Sequence, residues 1–361
     1  MNLIQNLLRQ RMGLHSATVG SSLIERAVLL RMRSHHLTRQ EDYFKLLKQS
    51  SVEWNSLVES VVVTETWFFR DKQPFLALAQ LVQTEWLPAH ATGPLRLLSV
   101  PCSSGEEPYS IAMSLLDAGI PHERFQIDAV DISARALDSA LRGMFGKNSF
   151  RGHDLSFRNR YFQTSKEGYL LTSAVRKSVH FHRGNLLETD CLNEAGTYDF
   201  IFCRNLLIYF DGPTQQKAMH KLHRLFKPAG VLFVAPAESS LALANGFASA
   251  NLPFSFAFRL AALPKRRVEQ IPRPLRSTLK RAKLRFAVPL AGASARKPRS
   301  NPTLHSPAIK QVTAPASLAV ARRLTNEGRL AEAAELCETH LREQGVSAEA
   351  YFLLGLVRDA A

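Results

Sequence analysis

The stretch from Leu95 to Leu116, LRLLSVPCSSGEEPYSIAMSLL, constrains the fold more than any other part of the chain. An apolar run (Leu95, Leu97, Leu98, Val100) leads into the small residues Cys102-Ser103-Ser104-Gly105, then Glu106, Glu107 and Pro108. Ile111, Ala112, Leu115 and Leu116 follow at helical spacing. Strand, tight glycine-containing loop and helix, in that order, open a nucleotide-binding βα unit. Small residues let backbone N–H groups approach a ligand closely, and Pro108 suits a first helical turn. Two carboxylates at the loop would repel a pyrophosphate, so the loop points to a cationic or hydroxyl-rich ligand. S-adenosylmethionine has a sulfonium, an ammonium, a ribose diol and no phosphate.

Around this unit the strand–helix alternation continues. Phe125 to Ser133 reads as a second strand ending in Asp131, which follows Gly105 by 26 residues. An acid there accepts hydrogen bonds from ribose hydroxyls in adenosyl and dinucleotide folds, although Asp131 or Ser133 could equally cap the helix Arg135–Leu141. The absence of G-x-G-x-x-G counts against a nicotinamide or flavin enzyme. Tyr161-Phe162, a polar gap from Gln163 to Gly168, Tyr169 to Leu171 and Val179 to Phe181 suggest a small β-hairpin insertion. Asn185-Leu186-Leu187 follows as a loop after a third strand. Tyr198 to Phe210 then forms a fourth strand running into a polar–aromatic loop, with Arg204, Asn205 and Tyr209 at its carboxyl end. Buried Arg and Asn need partners, so a site is favoured over a purely structural network. Lys217 to Phe226 reads as a helix, Lys227 to Gly230 as its turn and Val231 to Ala235 as a strand; Ala237-Glu238-Ser239 and apolar pieces to Leu263 close the domain.

Upstream, residues 1–90 look all-helical. Ile24, Ala27, Val28, Leu30 and Met32 give an apolar face, with Arg26, Arg31 and Arg33 around it as either a solvated face or a surface for an acidic partner. Thr64-Glu65-Thr66-Trp67-Phe68-Phe69-Arg70-Asp71 follows. Its aromatics suit packing, while threonine hydroxyls and the Arg70 guanidinium can bind a carboxylate.

At 361 residues and 45% hydrophobic content the chain can bury a sizeable core. Four scattered cysteines (Cys102, Cys191, Cys203, Cys337) without C-x-x-C spacing suit a reducing compartment. No apolar run reaches the ~18 residues of a membrane span and no signal-peptide core is visible, so the expectation is a cytoplasmic protein without membrane insertion. The net charge of +15 is concentrated: Lys265 to Lys310 carries 13 basic residues and one acid, Glu269. That placement, in a Pro/Ser/Ala-rich segment, weakens a nucleic-acid reading. Histidines pair at positions 180/182 and 220/223 without further ligands at metal spacing, so no metal is expected. Residues 264–316 read as a basic flexible linker. Residues 317–361 resemble a tetratricopeptide helix hairpin and half of another, an incomplete array whose ligand would be a protein partner.

Together, TETWFFRD, SSGEEPYSIAM, AVDIS, GNLL and FCRNLLIYF resemble, in order, the CheR-type chemotaxis-receptor glutamate O-methyltransferases. The tetratricopeptide-like tail is similar to that of the Wsp-type branch. The resemblance implies an α/β fold: a helical N-terminal receptor-docking domain (1–90), then a class I, Rossmann-like methyltransferase domain (91–263) with a β-subdomain at about 155–184. It implies S-adenosylmethionine as cofactor, held at Thr64, Thr66, Arg70, Glu107, Asp131, Asn185, Leu186, Cys203 and Arg204. Arg70, Arg204, Asn205 and Tyr209 would serve methyl transfer. Arg26, Arg31 and Arg33 would steer the acidic methylation helices of a methyl-accepting receptor. The Phe162–Phe181 hairpin looks shorter than in members that grip a receptor's tethering peptide, which implies no such tether. A nucleic-acid methyltransferase is one alternative, but N/D-P-P-Y is replaced by Cys203-Arg204-Asn205-Leu206. A scaffold protein that only senses S-adenosylmethionine is the other.

Overall fold

A computed structural model describes residues 1–152, 154–188, 195–260, 316–326, 329–345, 347, 350, 351 and 353–355. Two compact units divide the chain, Met1–Pro272 and Arg273–Ala361.

The first unit begins with helices Asn2–Met12, Ser16–Val19, Ser21–Ser34, Gln40–Gln49 and Ser51–Val61. Their apolar faces meet in one core that includes Ile4, Leu8, Ile24, Val28, Tyr43 and Leu57. Gly13 ends the first helix at φ 77°, and a Cβ there would come within 2.6 Å of Leu187 Cδ1 and 2.8 Å of Phe210 Cε1. Only glycine permits both that turn and that approach. Ser50 Oγ caps the last of these helices by accepting from Glu53 N–H at 3.1 Å. Glu53 is itself buried. Its carboxylate accepts from Tyr43 Oη at 2.7 Å, from Arg31 Nε at 2.9 Å and pairs with His35 Nε2 at 2.6 Å.

A seven-stranded sheet follows, built from β1 (Leu95–Ser99), β2 (Phe125–Asp131), β6 (Val179–Arg183), β7 (Tyr198–Phe202), β8 (Phe226–Phe233), β9 (Phe247–Ser249) and β10 (Ala257–Leu260). A second, three-stranded sheet holds β3 (Met144–Phe145), β4 (Phe162–Thr164) and β5 (Tyr169–Leu171). The large sheet runs β6-β2-β1-β7-β8-β10-β9. Its first five strands are parallel, and β10 is antiparallel to both neighbours. This is a Rossmann-like sheet with an antiparallel strand added beyond β8. Strand order reverses at β1, so a crevice opens where β1 and its neighbours end. One face packs against the Glu106–Asp117 helix and an aromatic cluster around Phe68; the other packs against the Gly212–Leu225 helix.

Two local expectations are corrected. Val179–Phe181 is not part of the hairpin insertion: it pairs in parallel with β2, Ile127 opposite Val179, and the small sheet recruits Met144–Phe145 instead. As an edge strand, β6 leaves one face wet, with His180 and His182 exposed there, so its alternation imitates a hairpin strand. Lys227–Gly230 lies inside β8 rather than before it and interrupts the ladder, because Tyr198 pairs with Phe226 while Phe200 pairs with Val231.

The second unit contains helices Ala316–Asn326 and Leu330–Gln344, packed through Leu324 and Ala333, with helical residues again at 350, 351 and 353–355. The proposed linker, Ala316 apart, and Cys191 lie outside the described residues. Among the described residues no helix is long and apolar enough to cross a membrane.

Candidate active site

The loop after β1 turns sharply through Ser103 (φ 46°) and Gly105 (φ 96°). A Cβ on Gly105 would lie 2.9 Å from Ala140 Cβ, so the loop can pack onto the neighbouring helix only with glycine there. Ser103 N–H donates to Asp131 Oδ2 at 2.8 Å, and Ser133 N–H donates to Asp131 Oδ1 at 2.9 Å. Each carboxylate oxygen thus keeps acceptor capacity at the end of β2. Burial pushes the Asp131 pKa up, against the two N–H donors. Ser133 also caps the next helix, its Oγ accepting from Ala136 N–H at 3.0 Å. The helix cap is therefore Ser133, and the Asp131 carboxylate, two residues earlier, binds the backbone beside it.

Arg204, at the end of β7, is 3% exposed. Its Nη1 donates to Glu107 Oε2 at 3.1 Å and its Nη2 to Asp71 Oδ2 at 2.5 Å. Glu107 also accepts from Ser99 Oγ at 2.8 Å. Burial raises the Glu107 pKa and Arg204 opposes that rise. The neighbouring Glu106 plays a different part: it accepts from Ser104 and Ser149 hydroxyls and staples the loop.

Glu238 organises the loop after β7. Its carboxylate accepts five backbone N–H groups, from Asn205 (3.0 Å), Leu206 (2.9 Å), Leu207 (2.8 Å), Ile208 (3.4 Å) and Ala235 (2.9 Å). Asn205 is held at φ 59°. Sequence reasoning placed Glu238 only as a closing residue; the available signal was an acid just beyond an apolar strand. The Tyr209 carbonyl accepts from His15 N–H at 2.9 Å and Thr18 Oγ1 at 3.0 Å, which fastens the helical domain to this loop. Burial raises the Tyr209 phenol above its ordinary value, so it stays protonated at neutral pH.

These parts line one open cleft. Thr64, Thr66, Arg70, Glu107, Asp131, Asn185, Leu186, Arg204, Asn205 and Tyr209 all line it. Met12, Leu14 and Val19 of the helical domain complete its wall. Sequence reasoning missed this wall, because nothing in a helical pattern says which exposed turn will meet another domain. Cys203 lies behind the lining, its side chain buried in the core and its N–H bonded to the Phe233 carbonyl at 2.9 Å. Asn185 accepts from Leu187 N–H at 3.0 Å and donates to the Arg11 carbonyl of the helical domain at 2.8 Å, which leaves it one N–H and one lone pair at the cleft. The three arginines expected to dock a partner, Arg26, Arg31 and Arg33, do not line the cleft. Arg26 and Arg33 are exposed, but Arg31 is turned inward onto Glu53 and is no part of an outward basic face.

S-adenosylmethionine fits this donor set. The carboxylates of Asp131 and Glu107 suit its cationic groups and diol, and buried Arg204 Nε lacks a hydrogen-bond partner. The cleft lining contains neither histidine nor lysine, so a phosphate ligand would find few cations. Among the described residues no group of three or more His, Cys, Asp or Glu could hold a metal ion.

Fold and cleft define a class I methyltransferase that uses S-adenosylmethionine. Residues 1–62 match the family described as CheR methyltransferase, all-alpha domain, and residues 64–254 match CheR methyltransferase, SAM binding domain. The chain belongs to the CheR methyltransferases. It is 42% identical over 373 residues to the probable biofilm formation methyltransferase WspC of Pseudomonas aeruginosa, covering 99% of this chain and 86% of that one. The Pseudomonas putida protein of the same name is 40% identical, covering 98% and 84%. The chemotaxis protein methyltransferase of Escherichia coli is 33% identical over 243 residues, covering 65% of this chain and 82% of its own.

Proposed function

We propose that this protein transfers a methyl group from S-adenosylmethionine to glutamate side chains of a methyl-accepting chemotaxis-type receptor. The observation that carries the reading is the division of labour between two cleft arginines. Arg204 is occupied by Glu107 and Asp71, whereas Arg70 donates to a main-chain carbonyl and keeps donors for a carboxylate brought to the cleft. A glutamate side chain, with a pKa near about 4.3, is already a nucleophile at neutral pH and needs no general base. That agrees with a lining without histidine or lysine. The cofactor supplies an electrophilic methyl on a sulfonium. Around it Asp131 would hold the ribose, Glu107 and Arg204 the amino-acid end, with Thr64, Thr66 and Leu186 as further contacts. Asn205, Tyr209 and Arg70 would orient the attacking carboxylate. Orientation and exclusion of water are then what the protein contributes, since charge neutralisation in the transition state is helped by a dry site.

The relatives' names, chemotaxis and biofilm formation methyltransferases, support receptor-type substrates. Exposed Arg26 and Arg33 give the helical domain cations for acidic helices, and the tetratricopeptide-like tail would bind a protein partner. Purified protein, tritiated S-adenosylmethionine and receptor-bearing membranes test the reading. Label released as methanol by mild base is expected; base-stable label, or label in added nucleic acid, would overturn it.

A further inference from the structure

Trp67 stands in the cleft wall with two guanidinium groups over its ring. Arg70 Cζ lies 4.6 Å from its ring centroid and Arg151 Cζ 4.4 Å, both within reach of a cation–π attraction. Glu65 joins the two arginines. Its carboxylate accepts from Arg151 Nη1 at 2.8 Å, and its main-chain carbonyl accepts from Arg70 Nη1 at 3.1 Å. The contacts close a ring: Glu65 to Arg151, Arg151 to Trp67, Trp67 to Arg70, and Arg70 back to Glu65.

The two arginines come from different segments. Arg70 and Trp67 both lie in the strap from Val62 to Asp71. Arg151 is presented by a well-anchored turn: the Ser149 carbonyl accepts Phe68 N–H at 2.9 Å, Ser149 Oγ donates to Glu106 at 2.8 Å, and Phe150 stacks on Phe68. Arg151 does not line the cleft. Its ion pair with Glu65 is exposed and adds little stability. Its consequence is geometric. A guanidinium has many rotamers to lose, and a stacked indole reduces the number open to Arg70 before any ligand arrives.

We propose that Arg151 is a positioning residue: with Glu65 it clamps Trp67 and so pre-orders Arg70 for a carboxylate ligand. This rests on the role given to Arg70 above. The carboxylate can come from the amino-acid tail of the cofactor or from the substrate glutamate, and two arms of one experiment separate them. S-adenosylhomocysteine, and 5′-methylthioadenosine as a ligand without the carboxylate, are titrated calorimetrically into the full chain, and KM for receptor is measured alongside. Arg151→Ala is expected to weaken S-adenosylhomocysteine binding about threefold to tenfold if the tail is the target. It would instead raise receptor KM by that factor if the glutamate is the target. In either case 5′-methylthioadenosine binding stays unchanged, and Arg151→Lys, which keeps the cation, recovers most of the loss. Glu65→Gln shifts the same quantity, and the double variant is no worse than Arg151→Ala, because both act through one clamp. Equal weakening of 5′-methylthioadenosine, additive losses, or no change in either arm would overturn the proposal. If the wild type transfers no methyl to receptor, the glutamate reading falls, and the clamp is then decided by the two titrations alone.

Discussion

Arg204 and Glu238 show how single residues set the chemistry of this cleft. Arg204 was legible in the sequence because a guanidinium at the end of Tyr198-Asp199-Phe200-Ile201-Phe202 cannot be buried without partners; those partners, Glu107 and Asp71, were not. They come from separate segments, and only the fold brings them together. Glu238 was illegible as a site organiser for the same reason: its donors are backbone groups of a loop some thirty residues earlier. Glu238→Ala should strip acceptors from five buried or half-buried N–H groups and cost about 3 kcal/mol or more, since each orphaned donor costs roughly 1–3 kcal/mol. Glu238→Gln keeps one carbonyl oxygen and should cost less, about 1–2 kcal/mol. Urea unfolding followed by circular dichroism checks both values, and methyl transfer should fall in the same order.

At the scale of elements, the strap from Val62 to Asp71 and the helical cluster around Glu53 behave differently. The strap is irregular, and Phe69 and Asp71 take left-handed φ values of 55° and 54°. Such conformations are held only where surrounding contacts over-determine them. The strap's aromatic content was readable as packing for Phe68, whereas Trp67 belongs to the cleft wall. In the helical domain, Arg31 reads from the sequence as one more cation on a basic face. Helical periodicity could not reveal a carboxylate waiting on another helix. Burial alone would raise the Glu53 pKa, but bonds from Arg31, Tyr43 and His35 outweigh it and hold the group at about 2. Because the folded-state value is depressed from 4.5, this group's stabilisation is present above pH 4.5 and is lost as pH falls from there toward 2. Glu53→Gln should therefore flatten the acid limb of the stability curve over that interval. Glu53→Ala should cost about 3–5 kcal/mol at neutral pH by leaving Arg31 and Tyr43 unpaired. Chemical denaturation at a series of pH values measures both effects.

For the molecule as a whole, the helical domain is one wall of the cleft. Leu14 pairs with Phe210, Glu59 accepts from Ser133 Oγ at 2.6 Å, and Asn55 accepts from Arg183 at 2.7 Å. Removing residues 1–62 should weaken S-adenosylhomocysteine binding by about tenfold or more, because Met12, Leu14 and Val19 no longer close the wall. Isothermal calorimetry on the shortened protein, after its sheet signal is verified, tests this. The centre of the sheet was the most legible feature, since β1 with its glycine loop and helix, β2 and β7 each stand out as apolar runs, whereas β6 reads as part of the hairpin insertion. Which faces meet across domains was not legible, because exposed and interfacial polar residues share one composition.

The most direct test is to map the modified atom. A methyl-accepting receptor incubated with the purified protein and S-adenosylmethionine, then digested and sequenced by mass spectrometry, should carry single methyl increments on glutamate side chains. These should disappear after mild alkali and be absent with Asp131→Ala, which removes the buried carboxylate at the end of β2. Methyl groups on nitrogen that survive alkali, or an unmodified receptor despite measured cofactor binding, would contradict the account.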